Sequence, residues 1–184
     1  MRCSAVLLAG GRSSRMGRDK AFLEFEGEPL WRRQLGTLQR LEPAQIMISG
    51  SARAEWNGYE IVTDETVDAG PLAGVAAALQ KCATPLLVVL AADLPRMTTD
   101  FLRSLLAICG EGRGAVPRAA DGFEPLAAVY PASCACLAAA ALRSGDFSMQ
   151  DFIRGAIEQG LLVEQEIFEK ETSLFLNLNT PSDL

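Results

Sequence analysis

The residues with the clearest chemical potential lie in Leu7-Leu8-Ala9-Gly10-Gly11-Arg12-Ser13-Ser14-Arg15-Met16-Gly17-Arg18-Asp19-Lys20. Arg12, Arg15, Arg18 and Lys20 place four cations in nine residues of a chain whose net charge is −6, and only Asp19 opposes them there. Adjacent glycines at 10 and 11 allow positive φ and let backbone N–H groups approach a ligand. Cations beside close backbone donors suit an anion, above all a phosphate. The same residues also read as a glycine turn followed by solvated arginines. The commoner phosphate fingerprints are missing, because Ala21 follows Lys20 and because Gly10 and Gly11 are adjacent rather than spaced as in G-x-G-x-x-G.

Two carboxylates are candidates to face that loop. Asp64 closes the short run Glu60-Ile61-Val62-Thr63, and Asp93 follows the apolar run Leu86-Leu87-Val88-Val89-Leu90-Ala91. Acids and cations share a phosphate site comfortably when a divalent metal lies between the acids and the phosphate. Each aspartate also has the plainer role of shaping a turn at a strand end. The chain contains no histidine, which excludes a Ser-His-Asp triad, histidine-ligated zinc and a histidine base. Catalysis has to rest on carboxylates, lysine, arginine, backbone donors or a bound metal.

These groups need elements to position them. Residues 5–9 read as a buried strand ending at Gly10. Residues 22–25 alternate up to a turn at Glu26-Gly27, and Pro29 opens a helix over 30–41 that Pro43 ends. Ile46-Met47-Ile48 is a second buried strand, and residues 60–63 a third. A glycine-proline turn at 70–71 feeds an alanine-rich helix to Lys81. Within it Gly74 costs about 1 kcal/mol against alanine and signals the close approach of a ligand or a neighbouring strand. Residues 86–91, apolar on both faces, belong in the middle of a covered parallel sheet. Helices are expected over 98–109, capped by Thr98 or Thr99, over 134–142, and from Ser148 to about Gln159. Later strands are expected at 114–117, 126–130, 161–167 and 175–178. Strand alternating with helix gives an α/β three-layer sandwich with a mostly parallel sheet. Right-handed crossovers then align the carboxyl ends of the strands, beyond which such sheets bind ligands. Gly10, Asp64 and Asp93 would face one crevice.

Composition narrows the class. A length of 184 residues, 49% hydrophobic and 22% charged, fits one globular domain, residues 1–184. The acidic balance argues against nucleic acid or an anionic membrane as the main partner. No early segment has the order of a secretory signal or the length of a membrane span, so the expected location is cytoplasmic. Five cysteines, Cys3, Cys82, Cys109, Cys134 and Cys136, read as reduced thiols serving as small core residues.

Leu8 to Gly11, Arg15-Met16-Gly17 and Asp19-Lys20 together resemble the nucleotide loop of the molybdenum cofactor guanylyltransferases (the molybdopterin-guanine dinucleotide synthase family). The likeness recurs at Gly27 to Trp31, at Gly70-Pro71-Leu72-Ala73-Gly74 and at Asn177-Leu178-Asn179-Thr180-Pro181. It implies a Rossmann-like nucleotidyltransferase fold, with a nucleotide half over about 1–110 and a pterin half over about 111–184. It implies that Leu8, Ala9, Gly10, Gly11, Lys20, Asp64 and Asp93 bind GTP, with Asp93 also holding Mg²⁺. Asn177 and Asn179 would lie near the pterin. Ser49 stands where some members carry a nucleotide-contacting asparagine, so that role is not carried over. Glu124-Pro125 replaces a frequent His-Pro and sets a negative charge near the expected pterin phosphate.

The reaction so implied transfers GMP from GTP to the phosphate of molybdopterin or Mo-molybdopterin and releases pyrophosphate. A phosphate monoester is already largely ionised near neutral pH, so no strong base is needed. Lys20, Asp93 and Arg15 form the expected catalytic set, with Arg15 and Lys20 on the β- and γ-phosphates. Cytidylyl-transferring relatives tend to have Leu-Ala-Ala-Gly where this chain has Leu8-Ala9-Gly10-Gly11, and a methyl there would crowd a purine. The alternatives are a molybdenum cofactor cytidylyltransferase, a sugar-phosphate nucleotidyltransferase, and a non-catalytic cofactor carrier. The expected protein is a monomer whose partners include a molybdenum-insertion protein and apo-molybdoenzymes.

Overall fold

The computed structural model of the chain describes residues 2–10, 20–63 and 69–178. Strand β1 (Cys3–Leu8) is buried at all six positions. After a 3-10 turn at Lys20–Phe22 come a hairpin of β2 (Glu24–Phe25) and β3 (Glu28–Pro29), then α1 (Leu30–Gln39) and β4 (Gln45–Ser49). A second 3-10 turn, Ala54–Trp56, precedes β5 (Glu60–Val62), α2 (Gly70–Lys81), β6 (Leu86–Ala91) and α3 (Thr99–Ile108). The later elements are β7 (Gly114–Ala119), β8 (Gly122–Phe123), β9 (Ala127–Pro131), α4 (Cys134–Ser144), α5 (Met149–Glu158) and β10 (Leu162–Glu166). A 3-10 segment, Glu169–Phe175, follows them.

One sheet runs in the order β10-β7-β9-β6-β1-β4-β5, with β8 on β7. Every strand on that path except β9 runs the same way. The reversal of β9 has a simple cause. A parallel return needs a crossover of a dozen or more residues, whereas the chain turns back after β7 through residues 120–121 alone, and β8 and β9 both run antiparallel to β7.

Period-two alternation divides β1 and β6 between two cores. Cys3, Ala5 and Leu7, with Leu86, Val88 and Leu90, pack under α1 and α3. Val6 and Leu8, with Leu87 and Val89, pack under α2, α4 and α5. The three-layer arrangement follows from a strand pair that is apolar on both sides. Thr98 is the α3 cap, its Oγ1 accepting from Phe101 N at 3.2 Å, and Ser148 caps α5 in the same way. Gly74 turns out to admit strands: a Cβ there would lie 2.6 Å from Ser49 Oγ and 3.3 Å from Leu8 Cδ2.

Several expectations change. Pro29 stays extended at ψ 136°, ending β3, and α1 begins after it. That helix stops at Gln39, before Pro43, with Glu42 at φ 53° in the connection. The expected strand at 175–178 is absent. Phe175 instead ends the last 3-10 segment with its ring edge-on to Phe101, centroids 5.2 Å apart. Cys136 is exposed and Cys82 and Cys109 are only partly covered, so not all five cysteines are core residues. No helix among the described residues is long and apolar enough to cross a membrane.

Gly114, where β7 meets β9, supplies a stability test. A Cβ there would stand 2.0 Å from Val129 O and 2.9 Å from Pro131 Cδ, so backbone would have to move. Gly114→Ala is expected to lower the unfolding free energy by about 1–3 kcal/mol or more in urea titration. An unchanged midpoint would refute this packing.

Candidate functional site

Because β1, β4 and β6 are parallel neighbours, the turns after them open on one edge. Two of those turns touch through glycine. A Cβ on Gly10 would lie 3.0 Å from Gly50 Cα, and one on Gly50 would lie 3.2 Å from Gly10 N. This approach lets Ala9 N and Gly10 N both donate to Ser49 O, at 3.0 and 2.8 Å, while Ala92 N donates to Leu8 O at 3.0 Å. The N–H groups of residues 9 and 10 therefore serve the scaffold and are not the ligand donors that a glycine turn suggests.

Lys20 is held at this edge by the residues that follow it. Ala21 is buried, and the Phe22 ring lies 6.1 Å from Trp31 and 6.0 Å from Trp56. Arg53 sits over Phe22 at 4.7 Å. Trp56 is also the wall behind Gly50, whose missing Cβ would meet Trp56 Cζ3 at 3.4 Å. One buried indole thus supports both the glycine turn and the lysine turn. The sequence signal for it was a lone tryptophan in a polar stretch.

Asp93 lies two residues beyond β6 and is partly buried. Burial raises its carboxyl above the ordinary 3.8, against the opposing pull of the Lys20 ammonium and a backbone hydrogen bond. Its turn is fixed carbonyl by carbonyl. Leu178 N donates to Asp93 O at 3.1 Å, Gln34 Nε2 to Leu94 O at 2.5 Å, and Arg33 Nε to Pro95 O at 2.8 Å. Gln34 was missed in the sequence, although a polar residue in register with Leu30 and Leu38 on the buried face of α1 was a usable signal. The Asn177 amide, in the orientation that satisfies its neighbours, donates to Asp93 Oδ1 at 3.2 Å and to Asp93 O at 3.3 Å.

The structure therefore brings Leu8, Ala9, Gly10, Lys20, Asp93 and Asn177 to one edge. Gly11, Arg15, Asp64 and Asn179 lie outside the described residues. Ser49 is buried with its hydroxyl turned to Gly74 of α2. Among the described residues no cluster of three or more His, Cys, Asp or Glu could cage a metal. A single desolvated carboxylate beside a lysine fits Mg²⁺, which is commonly held by one or two carboxylates together with substrate phosphates.

Residues 5–161 match the model of the MobA-like NTP transferase domain. The chain belongs to this family. It is 42% identical to a probable molybdenum cofactor guanylyltransferase of Opitutus terrae, over 98% of this chain and 92% of the relative. It is 31% identical to the molybdenum cofactor guanylyltransferase of Syntrophotalea carbinolica, over 98% of this chain and 88% of the relative. Among solved structures, the molybdopterin-guanine dinucleotide biosynthesis protein A of Archaeoglobus fulgidus superposes with a TM-score of 0.74 at 26% identity. That match covers 98% of this chain and 94% of the other. The family's activity is nucleotidyl transfer.

Family membership sharpens the meaning of Gly10. The expectation that a methyl there crowds a purine meets a different geometry, since the methyl would press on the backbone of Gly50. Gly10→Ala is expected to weaken binding of GTP and CTP alike in calorimetry, by displacing the turn. Selective loss of GTP would restore the crowding explanation.

Glu124, between β8 and β9, offers a test by pH. Burial, and then Asp121, raise its carboxyl above the ordinary 4.5. A raised folded value means that stability is present at low pH and is lost as pH rises from 4.5 through the folded value. Glu124→Gln should match the wild type below about pH 4 and exceed it in melting temperature at pH 7. Equal melting temperatures at both pH values would contradict the raised carboxyl.

Proposed function

We propose that the protein transfers GMP from GTP to the phosphate of molybdopterin, with or without molybdenum, releasing pyrophosphate. The observation that carries this reading is the meeting of Lys20 and Asp93 at the parallel-strand edge, in a chain closely similar to named guanylyltransferases. A phosphate oxygen of the pterin substrate bonds to the α-phosphorus of GTP, and the bond from that phosphorus to the bridging oxygen of the β-phosphate breaks. The electron pair leaves on pyrophosphate. The attacking phosphate is ionised near neutral pH, so no general base is called for, and a chain without histidine can run the reaction.

What the protein supplies is position and charge. Lys20, anchored by Ala21 and Phe22, presents its ammonium to the β- and γ-phosphates, and Arg15 joins it there. The turn at Ala9 and Gly10, at the same edge, receives the nucleoside. Asp64 serves the nucleoside in the family's manner, and Asn179 serves the pterin substrate. Asp93 would hold Mg²⁺, which when bound would supply charge neutralisation at the phosphate oxygens. An enzyme working on such soluble substrates belongs in the cytoplasm and hands its product to a molybdenum-insertion protein or an apo-molybdoenzyme.

Pyrophosphate release with molybdopterin and Mg²⁺ tests this, with GTP compared against CTP. Release is expected with GTP, and Asp93→Ala should reduce it by about 100-fold or more. Release with CTP alone would move the protein to cytidylyl transfer. Pterin binding without release from either nucleotide would overturn the enzymatic reading in favour of a carrier.

A further inference from the structure

The backbone and side chain of Asp93 are tied to the far end of the chain. Leu178 N and the Asn177 amide both donate to Asp93 O, and the same amide donates to Asp93 Oδ1. Leu178 is buried, and the Phe175 ring locks onto Phe101 of α3, so this segment is anchored on both sides of Asn177. Asn177 itself is exposed. Its side chain thus carries no core packing, and what it visibly does is hold a carboxylate.

We propose that Asn177 is a positioning residue for Asp93. By donating to Oδ1 it fixes the carboxylate plane and leaves Oδ2 directed to the cation of the metal–triphosphate complex. Such outer hydrogen bonds orient a ligating group, and their loss typically costs about 10–100-fold in metal affinity. A neutral donor suits the position. It restrains the carboxylate without cancelling the charge that a cation needs, whereas a second cation beside Lys20 would compete with the metal. The inference rests on the proposed nucleotidyl transfer, and it gives Asn177 a different task from contacting the pterin.

The test separates those two tasks. Mn²⁺ binding is measured by electron paramagnetic resonance with the α,β-methylene analogue of GTP, for wild type, Asn177→Ala and Asn177→Ser. The steady-state KM for molybdopterin and the Mg²⁺ requirement are measured beside it. Asn177→Ala is expected to weaken Mn²⁺ binding about tenfold, at the low end of the usual range because the site is exposed. It should raise the Mg²⁺ needed for half-maximal rate equally, recover its rate in excess Mg²⁺, and leave the KM for molybdopterin unchanged. Asn177→Ser, which keeps a shorter donor, should fall between Asn177→Ala and wild type. Unchanged Mn²⁺ affinity overturns the proposal, and a raised KM for molybdopterin in that case assigns Asn177 to the substrate. Wild-type protein that binds Mn²⁺ with the analogue but transfers no GMP would overturn the reaction while leaving the Mn²⁺ comparison to decide the role of Asn177.

Discussion

The close approach of Gly10 to Gly50 is the constraint on which the rest of the site depends. At that separation neither residue can carry a side chain without moving backbone. Two consecutive N–H groups can then share Ser49 O, which fastens the end of β1 to the end of β4 one step beyond their regular pairing. Everything that follows Gly10 starts from a fixed origin. Trp56 closes the back of the same contact and reaches Phe22, so the lysine turn is referred to the origin as well. A loop that has to present cations to a polyanion gains from such fixed ends, because charges held in place need no reorganisation when the ligand arrives.

On the other side of β1 the problem is electrostatic. Asp93 is drawn out of water by the turn after β6, and burial resists its ionisation. Lys20 eases this from across the site, and Asn177 from the end of the chain. Neither removes the charge. A carboxylate so placed suits the proposed capture of a cation carried by phosphates. A fully satisfied ion pair at this position would be a structural element and a poor binding site.

Much of this was legible in the sequence because the signals were local and repeated. Leu86 to Ala91 could only be a covered strand, and the period of β1 and β6 dictated helices on both faces. The placement of Lys20 and Asp93 at one edge followed from parallel topology. What escaped had a non-local cause. Gly10 looked like a ligand-facing glycine, but its partner is Gly50, forty positions away, and glycine carries no mark of what approaches it. Phe175 to Leu178 looked like a short strand because three of its four residues are apolar. The segment docks on Asp93 through Leu178 N and the Asn177 amide, and its described residues join no sheet. Gln34 was hidden by its neighbours, since a helix face of Leu30, Trp31, Leu35 and Leu38 reads as simple core.

The approach of Gly10 to Gly50 gives that glycine a reason other than room for a base. If the absent methyl at Gly10 only makes room for Gly50, then alanine in related enzymes reflects a different spacing of β1 and β4 and no direct contact with the base. The Ser49 hydroxyl is equally unsuited to read a base, being turned toward α2. Carbonyl oxygens at the end of β1 remain as acceptors, and an acceptor can engage the N1–H and exocyclic amine of guanine, whereas cytosine offers only its amine. Discrimination would then come from hydrogen-bond pattern, which rejects a mismatched base by leaving buried groups unpaired, a larger penalty than a methyl's worth of crowding. The tight glycine contact matters to that discrimination indirectly, by fixing where those acceptors stand.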